Sequence, residues 1–183
     1  VDPSVAAGDH VAVGDSLGTL VRAGFFAPWV DNHIHLGFRA PDTNPYRASG
    51  SVSIALDCDP LGLEWDGTGT VRTAGETSVV LDAPAHPSPG RFAGVASAEG
   101  WVLDGGLVHY AGGGAHGATG GPVTLLGHEV GVAEGRTVAW NDLAVFANGE
   151  RVTGLSLFLA RDEGFGAKVI CPDHAFAVGD EIR

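Results

Sequence analysis

Glycine and proline interrupt this chain so often that helical periodicity is almost absent. The 183 residues include 29 Gly and 10 Pro. In a helix interior each Gly costs about 1 kcal/mol relative to Ala and each Pro about 3 kcal/mol. What remains between the breaks is short and rich in Val, Leu and Phe: residues 11–13, 17–21, 52–56, 77–81, 123–126, 137–140, 143–147, 155–160 and 167–170. Runs of that length bounded by turn residues read as strands, so the chain is expected to be all-β. The clearest hairpin joins 143–147 to 150–154 through Asn148-Gly149, a pair that supplies the two positive-φ positions of a type I′ turn. Asp66-Gly67 reads as a second hairpin turn, and residues 90–100 are the one segment given a helical reading.

Two stretches read as connections. Residues 40–50 (APDTNPYRASG) are polar and Pro-rich, and residues 83–90 (APAHPSPG) carry prolines at a density that blocks a sheet ladder. His86, inside the second, is expected at the surface. The boundary falls near 45–50 and gives domains at 1–50 and 51–183. The first is too short to bury a core of its own. No methionine occurs, and the chain opens Val1-Asp2-Pro3. This suggests that Val1 is an internal residue and that the partner half of the first domain lies elsewhere.

The charge is −12, with nine Arg and a single lysine, Lys168, against fourteen Asp and eight Glu. That balance excludes duplex nucleic acid as a partner, since phosphate binding needs clustered cations, and fits a salt-adapted surface. No run of eighteen apolar residues is present to span a membrane. Cys58 and Cys171 sit in no metal or redox spacing and are read as free thiols, with one disulfide as the alternative.

Residues 6–20, AAGDHVAVGDSLGTL, follow the skeleton V-x-x-G-D-x-V-x-x-G-D-x-L-G from Val5 to Gly18. Each Gly-Asp is a tight turn that returns a Val or Leu to the interior. A loop then leads to Pro28-Trp29-Val30-Asp31-Asn32-His33-Ile34-His35-Leu36-Gly37-Phe38-Arg39. In a strand, alternate side chains share a face, so Asp31, His33 and His35 would line one side. Two imidazoles and a carboxylate so placed suit zinc ligation or general-base chemistry.

Across residues 5–47 this pattern resembles the lysostaphin-type zinc endopeptidases, which cleave peptidoglycan cross-bridges. The resemblance implies a barrel-sandwich-hybrid (duplicated hybrid motif) fold for the first segment, followed by a larger Gly-rich β domain. It implies Zn²⁺ held by His35, His33 as the catalytic histidine acting on the attacking water, and Asp31 as a supporting partner. It also implies a peptide or cell-envelope-type substrate and favours an extracytoplasmic location. The family's H-x-x-x-D element has no counterpart here. His10 and Asp15 have the wrong spacing, and the only lysine lies too far away for a lipoyl-type carrier. Residues 28–36 also resemble the first-strand motif of amidohydrolases, whose (β/α)8 barrel needs helices this sequence lacks.

A second constellation lies at residues 101–121, WVLDGGLVHYAGGGAHGATGG, where Asp104, His109, Tyr110 and His116 stand in a dense run of glycines. It reads as a flexible loop, with Asp104, His109 and His116 as accessory candidates for the His35 site or for a cleft. Residues 176–182 echo the early Gly-Asp turns. Three functions follow from this reading: a zinc-peptidase-like hydrolase, a non-catalytic β-rich binding or assembly module, and a histidine phosphocarrier-like domain.

Overall fold

The computed structural model describes residues 1–183 except 23, 25, 31–32, 34–36, 45, 48–49, 53–57, 88–89 and 163. The chain divides into two units, Val1–Asp57 and Cys58–Arg183. It is all-β: among the described residues there is no helix, and none long and apolar enough to cross a membrane.

In the first unit, β1 (Asp2–Pro3) pairs antiparallel with β2 (Gly18–Thr19). The strands expected at 11–13 and 17–21 shrink to these two residues of β2, because residues 6–9 and 12–15 close into turns. In each turn the Asp carboxylate reaches back three residues. Ala6 N–H donates to Asp9 Oδ2 at 2.8 Å, and Asp9 N–H donates to Ala6 O at 3.1 Å. Ala12 and Asp15 repeat both distances. Gly8 and Gly14 sit at φ 101° and 99°, the left-handed position of a type II turn. The echo at the other end of the chain has the same build: Ala177 and Asp180 make the same two bonds, around Gly179 at φ 97°. An Ala-x-Gly-Asp sequence is thus a self-contained turn wherever it occurs.

The second unit runs β3 (Leu61–Leu63), β4 (Gly69–Ala74), β5 (Ser78–Leu81), β6 (Ala93–Val95), β7 (Val102–Leu107), β8 (Gly112–His116), β9 (Gly120–Leu125), β10 (His128–Glu134), β11 (Thr137–Trp140), β12 (Val145–Ala147), β13 (Glu150–Val152), β14 (Gly154–Leu157), β15 (Lys168–Ile170) and β16 (Glu181–Ile182). Ten of these form one antiparallel sheet in the order β16-β4-β5-β15-β14-β7-β8-β11-β10-β9. β3 and β6 pair in parallel, and β12–β13 is a separate hairpin.

Alternation places one face of the sheet in the core. A cross-strand row runs Leu107, Leu155, Val169, Val79, all buried in the same cluster as Leu81 and Leu103. The opposite face carries the row Gly106, Ser156, Lys168. At the edge of the sheet, Ala98 N–H donates to Thr124 O, and Thr124 N–H to the Glu99 carboxylate. Those bonds, with Pro122 in the strand, leave β9 a poor template for pairing with another chain.

The Asn148-Gly149 hairpin forms as expected, with φ 53° and 83°. Three expectations are corrected. Asp66-Gly67 is a turn between β3 and β4, which pair with other strands. Residues 93–95, inside the segment given a helical reading, are strand β6, buried against the sheet. His86 is buried, its Nε2 within 2.9 Å of Arg91 O and 3.3 Å of Ala160 O, because a carbonyl five residues on and one from a segment distant in sequence converge on it. Both cysteines are free thiols.

Candidate functional site

The glycine-dense segment is a β-hairpin and not a flexible loop. β7 and β8 pair from Val102–His116 to Gly105–Gly113, and residues 108–111 turn between them. The turn is strained. Val108 sits at φ 62°, a conformation that costs a β-branched residue on the order of 1–2 kcal/mol. It presents His109 and Tyr110 side by side, ring centroids 4.9 Å apart and tilted by 49°.

Two glycines make room for these rings. A methyl group at Gly106 would overlap the Tyr110 ring and come within 2.5 Å of His109 Nε2. One at Gly154, on the neighbouring strand, would strike Leu107 O and approach His109 Nδ1 to 2.5 Å. Nδ1 lies 3.3 Å from Leu107 O. With Nδ1 as the donor to that carbonyl, Nε2 keeps its lone pair. Burial disfavours the imidazolium and lowers the pKa of His109 below its ordinary value; the Leu107 hydrogen bond opposes this, and the Lys168 charge adds to it. The ring is therefore neutral at pH 7.

A second pair of glycines seats Trp140. Side chains at Gly113 and Gly131 would run into the indole, at 2.6 Å from Cζ2 and 3.0 Å from Cε3 respectively. The ring thus lies across the sheet at the rim of the core, and its Nε1 is buried without a hydrogen-bond partner among the described residues. His109, Tyr110 and Trp140, with Asn141, Asp142, Arg151 and Thr153, line a cleft of about 730 Å³. Tyr110 is half exposed. The side chain of Asn141 also ties β10 to this loop, donating to Glu129 O at 3.1 Å.

The other sequence candidates are distributed as follows. Asp104 and His116 meet on the outer face of β7 and β8, with His116 Nε2 3.9 Å from Asp104 Oδ2. Neither of them lines the cleft that holds His109. His33, in the first unit, is exposed, lies in no strand and has its ring 5.2 Å from that of Phe26. Asp31 and His35 lie outside the described residues. Among the described residues no three His, Cys, Asp or Glu side chains come together to hold a metal ion; the zinc expectation rests on His35, which lies outside them. Trp140, Asp142 and Arg151 were missed because no local motif marks them. A Trp directly before an Asn-Asp turn was the available signal.

No curated protein and no solved structure matches the chain. Residues 1–56 match the N-terminal domain, and residues 61–183 the C-terminal domain, of a domain of unknown function, DUF8155. Since the second match alone spans most of the sequence, the chain belongs to the DUF8155 family.

Proposed function

We propose that this protein is a β-rich binding module whose ligand site is the cleft at the His109 turn. The observation that supports this is the construction of the turn. A valine held at positive φ and two glycines that admit nothing larger set His109 and Tyr110 at the mouth of a concave site. Backbone strain of this kind clusters at functional positions. The cleft is also in the size range of small-molecule sites, roughly 300–1,000 Å³. A titration of the full chain with amino acids, short peptides, neutral sugars and small anions, followed by amide NMR, tests it. Shifts clustered at residues 108–111 and 140–144 are expected. Shifts elsewhere, or none, overturn the reading.

A zinc-peptidase-like hydrolase centred on His33 and His35 is the second proposal. It is favoured by the exposure of His33 beside Phe26, at the rim of a groove lined also by Leu20, Val21 and Pro28. Metal analysis of the purified chain, with a His35→Ala variant beside it, is its test. Stoichiometric zinc lost in the variant supports it, and zinc-free protein without peptide cleavage after zinc addition sinks it.

A further inference from the structure

We infer that the ligand of the His109 cleft is a neutral saccharide, an inference that rests on the binding reading above. Charge decides between ligand classes first. The cleft holds one guanidinium, Arg151, one carboxylate, Asp142, and an imidazole kept neutral by burial. These sum to about zero, in a chain whose formal charge is −12. A phosphate or polycarboxylate would need an excess of cations, and an amine an excess of anions. Among the lining groups neither excess is present; Lys168, whose charge reaches His109, lies outside the lining. Asp142 and Arg151 are instead exposed at the cleft, a rim of one acceptor group and one five-donor group.

Shape and surface decide next. Tyr110 and Trp140 provide aromatic surface within one cleft, and the C–H faces of a pyranose ring pack on such surfaces. Sugar hydroxyl groups both donate and accept, so they are matched by side chains of opposite polarity in one cleft, such as Asp142 and Arg151. An apolar ligand would pair with none of these groups. A cleft of about 730 Å³ is wide enough for more than one sugar ring, which favours an oligosaccharide over a monosaccharide.

The test uses the full chain and a panel of neutral tri- to hexasaccharides built from glucose, N-acetylglucosamine, mannose and galactose. An oligouronate, a short peptide and acetate are run beside them. Tryptophan fluorescence and the NMR signals of residues 108–111 are the readouts. Saturable binding of at least one neutral saccharide is expected, weakened at least tenfold by Tyr110→Ala and by Asp142→Asn. Both substitutions are at exposed positions, and a matched thermal melt verifies that each variant is folded. If the peptide, acetate or oligouronate moves these signals and no neutral saccharide does, the binding cleft stands and the saccharide assignment falls. If no probe moves them, both fall.

Discussion

The imidazole of His109 occupies the space that a side chain at Gly106 would need. A methyl at that position would lie 2.5 Å from His109 Nε2 and inside the Tyr110 ring. The obstruction consists of movable side chains, so Gly106→Ala is expected to displace both rings while the sheet persists. At Gly154 the obstruction is the carbonyl of Leu107, and the glycine sits at φ 158°. Gly154→Ala must therefore shift backbone in the pairing of β7 with β14. The expected outcome is a Gly106→Ala protein that melts within a few degrees of wild type but has altered His109 and Tyr110 NMR signals. Gly154→Ala is expected to lose about 2 kcal/mol or more. Equal effects on stability would contradict this division.

The half-buried imidazole of His109 gives the fold a pH dependence of definite sign. The folded pKa of His109 is depressed below the ordinary 6.5 by burial first, with Lys168 adding to it against the Leu107 hydrogen bond. The unfolded chain therefore takes up the proton more readily. Stability is lost as pH falls through the unfolded value near 6.5, and the loss levels off below the folded value. Replacing His109 with Gln removes this component. Urea midpoints at about pH 7.5 and about pH 5.5 are expected to fall further for wild type than for the variant. Carboxylates titrate in both proteins and cancel in the comparison.

Asn148 serves as both a turn residue and a clasp. It accepts φ 53°, its Nδ2 donates to Glu181 O at 2.8 Å, and its Oδ1 receives the Arg183 N–H at 3.0 Å. Asn148→Ala loses the side-chain bonds and strains the turn, for about 2 kcal/mol in total. Asn148→Gly keeps the turn and loses only the bonds, for about 1 kcal/mol. Chemical denaturation of the two variants checks the order. A glycine variant as unstable as the alanine variant would show that the turn conformation contributes nothing.

The two thiols are expected to differ in reactivity. Cys171 is buried, its Sγ is 3.5 Å from Val169 O, and burial pushes its pKa up. Cys58 is half buried. An alkylating reagent should modify one thiol, Cys58, in the native protein, and reach Cys171 only at the rate of unfolding. Rapid native labelling of both, read by peptide mass, would contradict the packing around β15.

Local chemistry was legible in the sequence. The strands at 78–81, 137–140 and 168–170, the Asn148-Gly149 hairpin and the Gly-Asp turns each depend on residues within a few positions of one another; residues 11–13 form no strand, and 53–56 of the run at 52–56 lie outside the described residues. The three Ala-x-Gly-Asp turns adopt the same geometry in both units. The glycines of residues 101–121 were not legible in the same way. They read as a flexible loop because glycine in isolation signals freedom. In the folded chain Gly113 is small so that Trp140 can lie over it, and Gly106 so that His109 and Tyr110 can. His86 was misplaced for a related reason: prolines around it suggested solvent, while Arg91 and Ala160 supplied the carbonyls that let it be buried.

The sequence by itself determined that this chain is all-β, because glycine and proline leave only strand-length apolar runs, and it determined where the tightest turns fall. The tertiary structure alone decided the candidate site. Strand order brings Gly154 of β14 beside β7 and carries Trp140, Asp142 and Arg151 to the turn that holds His109. Hydrogen-bonded pairing between strands that are not neighbours in sequence is set by the whole sheet, and no local window of residues encodes it.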